Sequence, residues 1–305
     1  MSAIRQITII GTGLIGGSFA LAIRKAGFKG YIVGCDREPV LAQARERGAV
    51  DRAYIDPGEA TQGSDVTLLA TPVGSIIDLV ERIGPTMPPD SLIADVGSTK
   101  AEIAARARAI FGQSAGTRFI PGHPMAGKER GGIAQAYPDL FRGAAWIITP
   151  LGEISPAGAG FLELVAGTGA HIVSMEPERH DRLCAWFSHL PQMLAIALAA
   201  SLADEFADDP DALELAGPAL REMTRTAASP YALWRDIALT NRGNLQDALL
   251  QLEQCLAHLR ENLSTRELEG QFDLANRFRK SLTTGDTENI EKENKKTGPA
   301  GPFSS

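Results

Sequence analysis

The chain has 305 residues, 44% hydrophobic and 22% charged, enough length and apolar content for one large or two ordinary folded domains. A net charge of -7 and a pI near 5.4 argue against a nucleic-acid or anionic-membrane partner, which needs a broad basic surface, but leave room for a local cationic pocket. Three scattered cysteines, Cys35, Cys184 and Cys255, fit a reduced, cytoplasmic chain, and "MSAIRQITII" lacks a signal-peptide pattern.

Up to about residue 150, β-type runs alternate with helical patterns. The runs are "ITIIG" (7–11), "YIVGCD" (31–36), "DVTLLATP" (65–72), "SLIADVG" (91–97), "RFIPG" (118–122) and "AWIITP" (145–150). The first four are almost continuously apolar, as parallel strands buried on both faces should be. Helices are predicted at 14–27, 38–48, 73–83 and 99–111. This rhythm predicts an α/β Rossmann-type doubly wound sheet over 1–150, with ligands beyond the carboxyl ends of its strands. After residue 150 one further β-type run, "HIVSM" (171–175), precedes helices at 177–206 with a kink at Pro191, 213–227, 231–240, 242–263 and 267–280. Leu245, Leu249, Leu252 and Leu256 recur at helical spacing, as a buried face or a subunit seam does. The expectation is an all-α C-terminal domain over 151–280, with no apolar run long enough to span a bilayer. Residues 281–305, polar and rich in Gly and Pro, read as a mobile tail.

Within "GTGLIGGS", Gly11, Gly13 and Gly16 match GxGxxG, with Leu14 and Ile15 opening the helix that follows the first strand. The glycines permit a tight turn, close approach of a pyrophosphate, and helix–strand packing. Asp36 ends the second strand, where an acidic residue accepts hydrogen bonds from both ribose hydroxyls of NAD and repels the 2′-phosphate of NADP. Arg37 beside it offsets part of that repulsion, so NAD is favoured and NADP stays open. Thr71-Pro72 and Ser98 follow later strands and line the nicotinamide end of the crevice; Ser98 equally fits a plain helix N-cap. His123, in "RFIPGHPMAGKERGG", is bracketed by Gly122 and Pro124, which hold its backbone against the crevice. An isolated histidine is commonly structural, so a catalytic role for it stands beside that reading. The segments "RHDRLCAWFSHLPQ" (179–192) and "REMTRTAASPYALWRD" (221–236) add His180, His189, Arg225 and Trp234 from the helical half. No CxxC or HExxH spacing points to a metal, and His180 with Cys184 four residues on is too small a set to be read as one.

"GTGLIGGS", "DVGSTK", "GHPMAGKERGG", "SHLP" (188–191) and the "TR" of 224–225 followed by "SP" and "W" resemble, in this order, the prephenate/arogenate dehydrogenase family over about residues 5–280. The resemblance implies oxidative decarboxylation of a cyclohexadienyl acid in tyrosine biosynthesis, and a homodimer built through the helical domain. Carried over by position, His123 resembles the catalytic histidine that accepts a hydrogen bond from the substrate's ring hydroxyl. Ser98 resembles the residue orienting that histidine and the nicotinamide. Glu129 matches an acidic loop position, His189 a pocket histidine, Arg225 the arginine holding a substrate carboxylate, and Trp234 an aromatic near the pocket. Gln192 stands where many members have a second histidine, and Glu222 where some have aspartate. A β-hydroxyacid or 6-phosphogluconate-type dehydrogenase, and a non-catalytic dinucleotide-binding regulatory module, are the alternatives, but neither accounts for "GHPMAGKE".

Overall fold

A computed structural model describes residues 4–284 except Glu129. The expected tail lies, from residue 285, outside the described residues. Within these bounds the chain forms two compact units, one ending at Ala248 and one beginning at Leu249. The first contains every element that lines the clefts described below.

The first unit opens with β1 (Gln6–Ile10), α1 (Leu14–Lys25), β2 (Tyr31–Cys35), α2 (Glu38–Glu46), β3 (Arg52–Tyr54), α3 (Pro57–Ala60) and β4 (Val66–Leu69). It continues with α4 (Val73–Ile83), β5 (Leu92–Asp95), α5 (Ala101–Phe111), α6 (Ala115–Arg118), β6 (Phe119–Ile120) and β7 (Gly122–Pro124). Six strands form a parallel sheet in the order β3-β2-β1-β4-β5-β6. The order reverses between β1 and β4, the switch point beyond which such sheets bind ligands. Alternate side chains explain the apolar runs: Ile7, Ile9 and Leu68 pack into one buried layer with Phe19 and Phe161. Ile10 and Leu69 enter a second layer with Ile76, Val80 and Ile103 on the other face.

Pro121 divides the expected strand at 118–122. Phe119–Ile120 closes the large sheet, whereas Gly122–Pro124 pairs antiparallel with β8 (Ala145–Ile148), itself parallel to β9 (His171–Ser174). The 145–150 run therefore belongs to a second, three-stranded sheet, and His123 sits mid-strand opposite Ile147 rather than in a loop. Between β8 and β9, α7 (Pro156–Gly167) escapes a periodicity reading because small residues fill "PAGAG". Its start is nonetheless signalled by Ser155, whose hydroxyl accepts from Gly158 N at 3.2 Å ahead of a first-turn proline.

The helical part runs through α8 (Pro177–Cys184), a π-helical turn (Ala185–His189), α9 (Leu190–Glu205), α10 (Pro218–Thr224), α11 (Tyr231–Thr240) and α12 (Arg242–Glu261). α13 (Glu267–Thr284) lies in the second unit. The distortion expected at Pro191 is taken up one turn earlier, where the wider π turn accommodates a residue without an N–H. Because the helix is not broken there, Pro177–Glu205 forms one 29-residue run with mean hydropathy 1.4 in its most apolar window. By length and composition alone that is enough to cross a membrane, where the sequence reading expected no apolar run of that length. Only 33% of that window is buried within the chain.

Candidate active site

The β1–α1 turn makes each motif glycine do something different. Gly11 has φ of 93°, and a Cβ there would lie 2.4 Å from the Ala70 carbonyl oxygen. A Cβ on Gly16 would lie 2.1 Å from the Gly11 carbonyl oxygen, so helix and turn meet backbone to backbone. A Cβ on Gly13 would meet nothing within 4 Å. Packing does not require glycine at 13, but a phosphate approaching the first-turn amides of α1 does; those amides precede any intrahelical acceptor. Asp36 accepts from Thr12 N and Arg37 N, each at 2.8 Å, which fixes its carboxylate while leaving lone pairs for an incoming diol. Gly11, Gly13, Asp36, Arg37, Thr71 and Pro72 share a pocket of about 510 Å³. These residues fit a dinucleotide.

A second cleft, about 700 Å³, adjoins the first through Ala70, Thr71 and Pro72. Its wall takes Leu14 and Ile15 from α1, Ser98 after β5, His123 from β7 and His189 from the π turn. Arg225, in a short 3-10 turn after α10, and Trp234 from α11 complete it. The described lining includes two cations, Lys128 and Arg225, and no carboxylate. Glu129 lies outside the described residues. Three buried polar atoms at this wall, Thr71 Oγ1, His189 Nε2 and Trp234 Nε1, have no protein partner. Buried donors of this kind call for acceptors.

Burial, reinforced by His180, Lys100 and His189, holds His123 well below the usual histidine pKa. Burial likewise pushes His189 down to about 4. Both rings are therefore neutral at pH 7. For His189 the proton can be placed: Asn241 Nδ2 lies 3.2 Å from His189 Nδ1. The Asn241 amide is oriented by donating to the Asp181 carbonyl at 2.7 Å and accepting from Asn244 Nδ2 at 2.8 Å. Asn241 donates, His189 Nδ1 accepts, and His189 Nε2 keeps its hydrogen as a donor. Gln192 Nε2 donates to the Thr226 carbonyl at 2.8 Å, which leaves the amide oxygen as the group Gln192 has to offer.

His123 Nδ1, His180 Nε2 and Cys184 Sγ cluster within 4.8 Å of one another, the nearest approach to a metal-ligand set among the described residues. The two imidazole nitrogens are 2.8 Å apart, a hydrogen-bond distance. Two nitrogens on one tetrahedral zinc, at bond lengths of about 2.0–2.1 Å, would stand roughly 3.3 Å apart. Burial raises the Cys184 thiol to about 12, so it stays protonated.

Sequence reading missed the scaffold beneath these groups. Lys100 and Asp95 form a fully buried ion pair, and Lys100 Nζ also donates to the Gly122 carbonyl at 2.7 Å, tying "DVGSTK" to the residue before His123. Burial disfavours charge on both members, and their mutual attraction opposes that. Asp236 accepts from Gly74 N at 3.0 Å and so anchors α11, with Trp234, to the start of α4. Asp181 and Asn241 join residues about sixty or more apart in sequence. The adjacent "HD" at 180–181 was the one local clue to this scaffold.

A Rossmann sheet with this glycine turn and acidic diol acceptor, opening onto a cleft with a neutral buried histidine, defines a dinucleotide-dependent oxidoreductase. Known proteins narrow that class. A family model described as "Prephenate dehydrogenase, nucleotide-binding domain" matches residues 19–174, and one described as "Prephenate dehydrogenase, dimerization domain" matches 176–280. A prephenate dehydrogenase of Lactococcus lactis is 33% identical over 258 residues, 84% of this chain and 70% of its own. A crystal structure of prephenate dehydrogenase from A. aeolicus in complex with hydroxyphenyl propionate and NAD+ superposes with a TM-score of 0.81 at 28% identity. It covers 93% of this chain and 98% of that one. Synechocystis arogenate dehydrogenase gives 0.69 at 31% identity, covering 93% and 99%. The chain belongs to the prephenate dehydrogenase family.

Proposed function

We propose that the chain catalyses NAD-dependent oxidative decarboxylation of prephenate, arogenate or both, yielding 4-hydroxyphenylpyruvate, tyrosine or both in tyrosine biosynthesis. The observation that carries this reading is the second cleft: a neutral His123 and two cations, with no described carboxylate, beside the pocket that fits a dinucleotide. Each substrate is a dicarboxylate whose ring hydroxyl sits on the carbon that loses hydride.

When bound, the nicotinamide accepts that hydride. As it leaves, positive charge builds on the ring carbon and the hydroxyl becomes acidic. A neutral ring nitrogen of His123 accepts its hydrogen bond and stabilises that charge. The carboxylate is then lost as CO₂, its bonding electrons complete the aromatic ring, and the phenol retains its proton overall. Ser98, on the same cleft wall as His123, would orient the imidazole and a bound nicotinamide. Arg225 holds the ring carboxylate, His189 donates from Nε2 to substrate oxygen, and Trp234 closes the cleft. Asp36 favours NAD over NADP. Glu129 matches an acidic position of the family loop.

We further infer a homodimer formed through the helices, where exposed Phe187, Leu194, Ile196 and Leu239 await cover. The apolar Pro177–Glu205 run then reads as a subunit seam rather than a membrane span. The boundary between the two functional parts falls near residue 150, and the unpaired thiols support a reducing cytoplasm. The deciding assay is kcat/KM for prephenate and arogenate, each with NAD and NADP. Turnover of at least one substrate, faster with NAD, is expected; no turnover of either overturns the proposal.

A further inference from the structure

We propose that Asp181 and His180 form a positioning relay that fixes the proton of neutral His123 on Nδ1 and so presents Nε2 as its acceptor. The inference rests on the reading of His123 as the acceptor for the ring hydroxyl, and deepens it by assigning the atom.

Asp181 is buried and its carboxylate accepts three hydrogen bonds. Oδ1 accepts from Lys100 N at 2.7 Å and Oδ2 from Ala101 N at 2.9 Å, at the start of α5, where the helix dipole favours negative charge. Oδ1 also lies 2.8 Å from His180 Nδ1. An ionised carboxylate only accepts, so His180 Nδ1 must carry the hydrogen. Burial holds His180 below the ordinary histidine pKa despite Asp181, so the ring is neutral at pH 7. Its other nitrogen, Nε2, is then a bare acceptor.

That Nε2 lies 2.8 Å from His123 Nδ1, with the rings 63° apart. An acceptor on one side requires a donor on the other, so His123 carries its hydrogen on Nδ1 and its lone pair on Nε2. Without the relay, a neutral imidazole can hold its proton on either nitrogen, and one of the two forms has nothing with which to accept from a hydroxyl. Cys184 Sγ flanks the pair at 3.4 Å from His180 Nε2 and 3.9 Å from His123 Nδ1. A thiol is too weak a donor to displace an imidazole N–H from that lone pair.

The backbone of His123 is held by the same anchor. Lys100 donates its backbone N–H to the Asp181 carboxylate and its ammonium to the Gly122 carbonyl. The Asp181 carbonyl accepts from Asn241, the residue that also sets the tautomer of His189. One aspartate therefore governs which nitrogen carries the proton in both histidines of the cleft.

The test is long-range ¹H–¹⁵N correlation NMR on the intact, histidine-labelled protein at pH 7.5, which needs no variant. Both His123 and His180 should show protonated Nδ1 and unprotonated Nε2. A His123 protonated on Nε2 overturns the relay. In parallel, His180→Leu should lower kcat by roughly 10²-fold while both KM values hold within about two-fold. The ¹⁵N shifts of His123 should then move toward the other tautomer. His180→Gln, whose amide oxygen can accept from His123 Nδ1, should recover part of kcat and of the shift. Unchanged kcat and shifts in His180→Leu also overturn the relay. His123→Asn separates the two claims: if it keeps full turnover, the acceptor reading itself fails. If it abolishes turnover while wild-type His123 is protonated on Nε2, only the relay fails.

Discussion

The cleft holds two imidazoles whose neutrality comes from burial, and each consequence can be measured. His189 drops from an ordinary 6.5 to about 4 in the folded protein. A depressed folded pKa means that the unfolded chain binds the proton more readily. The stability that neutral His189 contributes is complete above about pH 6.5 and disappears as pH falls toward 4, a swing on the order of 3 kcal/mol. Urea unfolding of wild type and His189→Asn between pH 7.5 and 4.5 should show a steeper acid loss in wild type; parallel losses contradict this. Arg225 behaves differently. If it pairs with the departing carboxylate, the pair weakens as that group loses its charge, so it serves binding more than turnover. Arg225→Ala should raise KM for substrate at least 10-fold with little change in kcat. A large fall in kcat at unchanged KM would contradict the assignment. Sequence motifs made His123, Ser98, His189 and Arg225 visible as candidates. Asp181 and Asn241 stayed hidden because the contacts that tie them into the scaffold, Asp181 to Lys100 and Asn241 to Asp181, span sixty or more residues of sequence.

Among the elements, the β1–α1 turn offers the cleanest separation of folding from binding. Gly16→Ala should destabilise the protein by about 1–3 kcal/mol, since its methyl would enter the Gly11 carbonyl 2.1 Å away. Gly13→Ala should leave Tm almost unchanged, because nothing lies within 4 Å, yet weaken NAD binding strongly. Thermal unfolding with NAD titration checks both; tight NAD binding by a folded Gly13→Ala protein would remove the phosphate from that turn. The doubly wound sheet was legible because its strands are short, apolar and punctuated by glycine and proline. What was lost lay where local pattern is thin: three-residue β3, small-residue-rich α7, and β7, which the run through Pro121 concealed. Helix α11 came out at its predicted bounds, but the π turn before Pro191 depends on tertiary packing that periodicity does not record.

At the scale of the whole molecule, large apolar side chains stay uncovered on the helices. Leu239 is 67% exposed and Phe187 63%; in the second unit Phe272 is 62% and Phe278 51%. The match to a dimerization domain gives such surface a use. Sedimentation should show a dimer, and Phe272→Asp combined with Phe278→Asp should shift it toward monomer; a monomeric wild type contradicts the assignment. The central claim remains that His123 accepts the hydrogen bond from the hydroxyl on the carbon that loses hydride. His123→Asn, assayed for kcat with prephenate and for NAD affinity by fluorescence titration, tests it most directly. Loss of kcat by at least about 10²-fold with NAD affinity unchanged is the predicted result; turnover near the wild-type rate would contradict it.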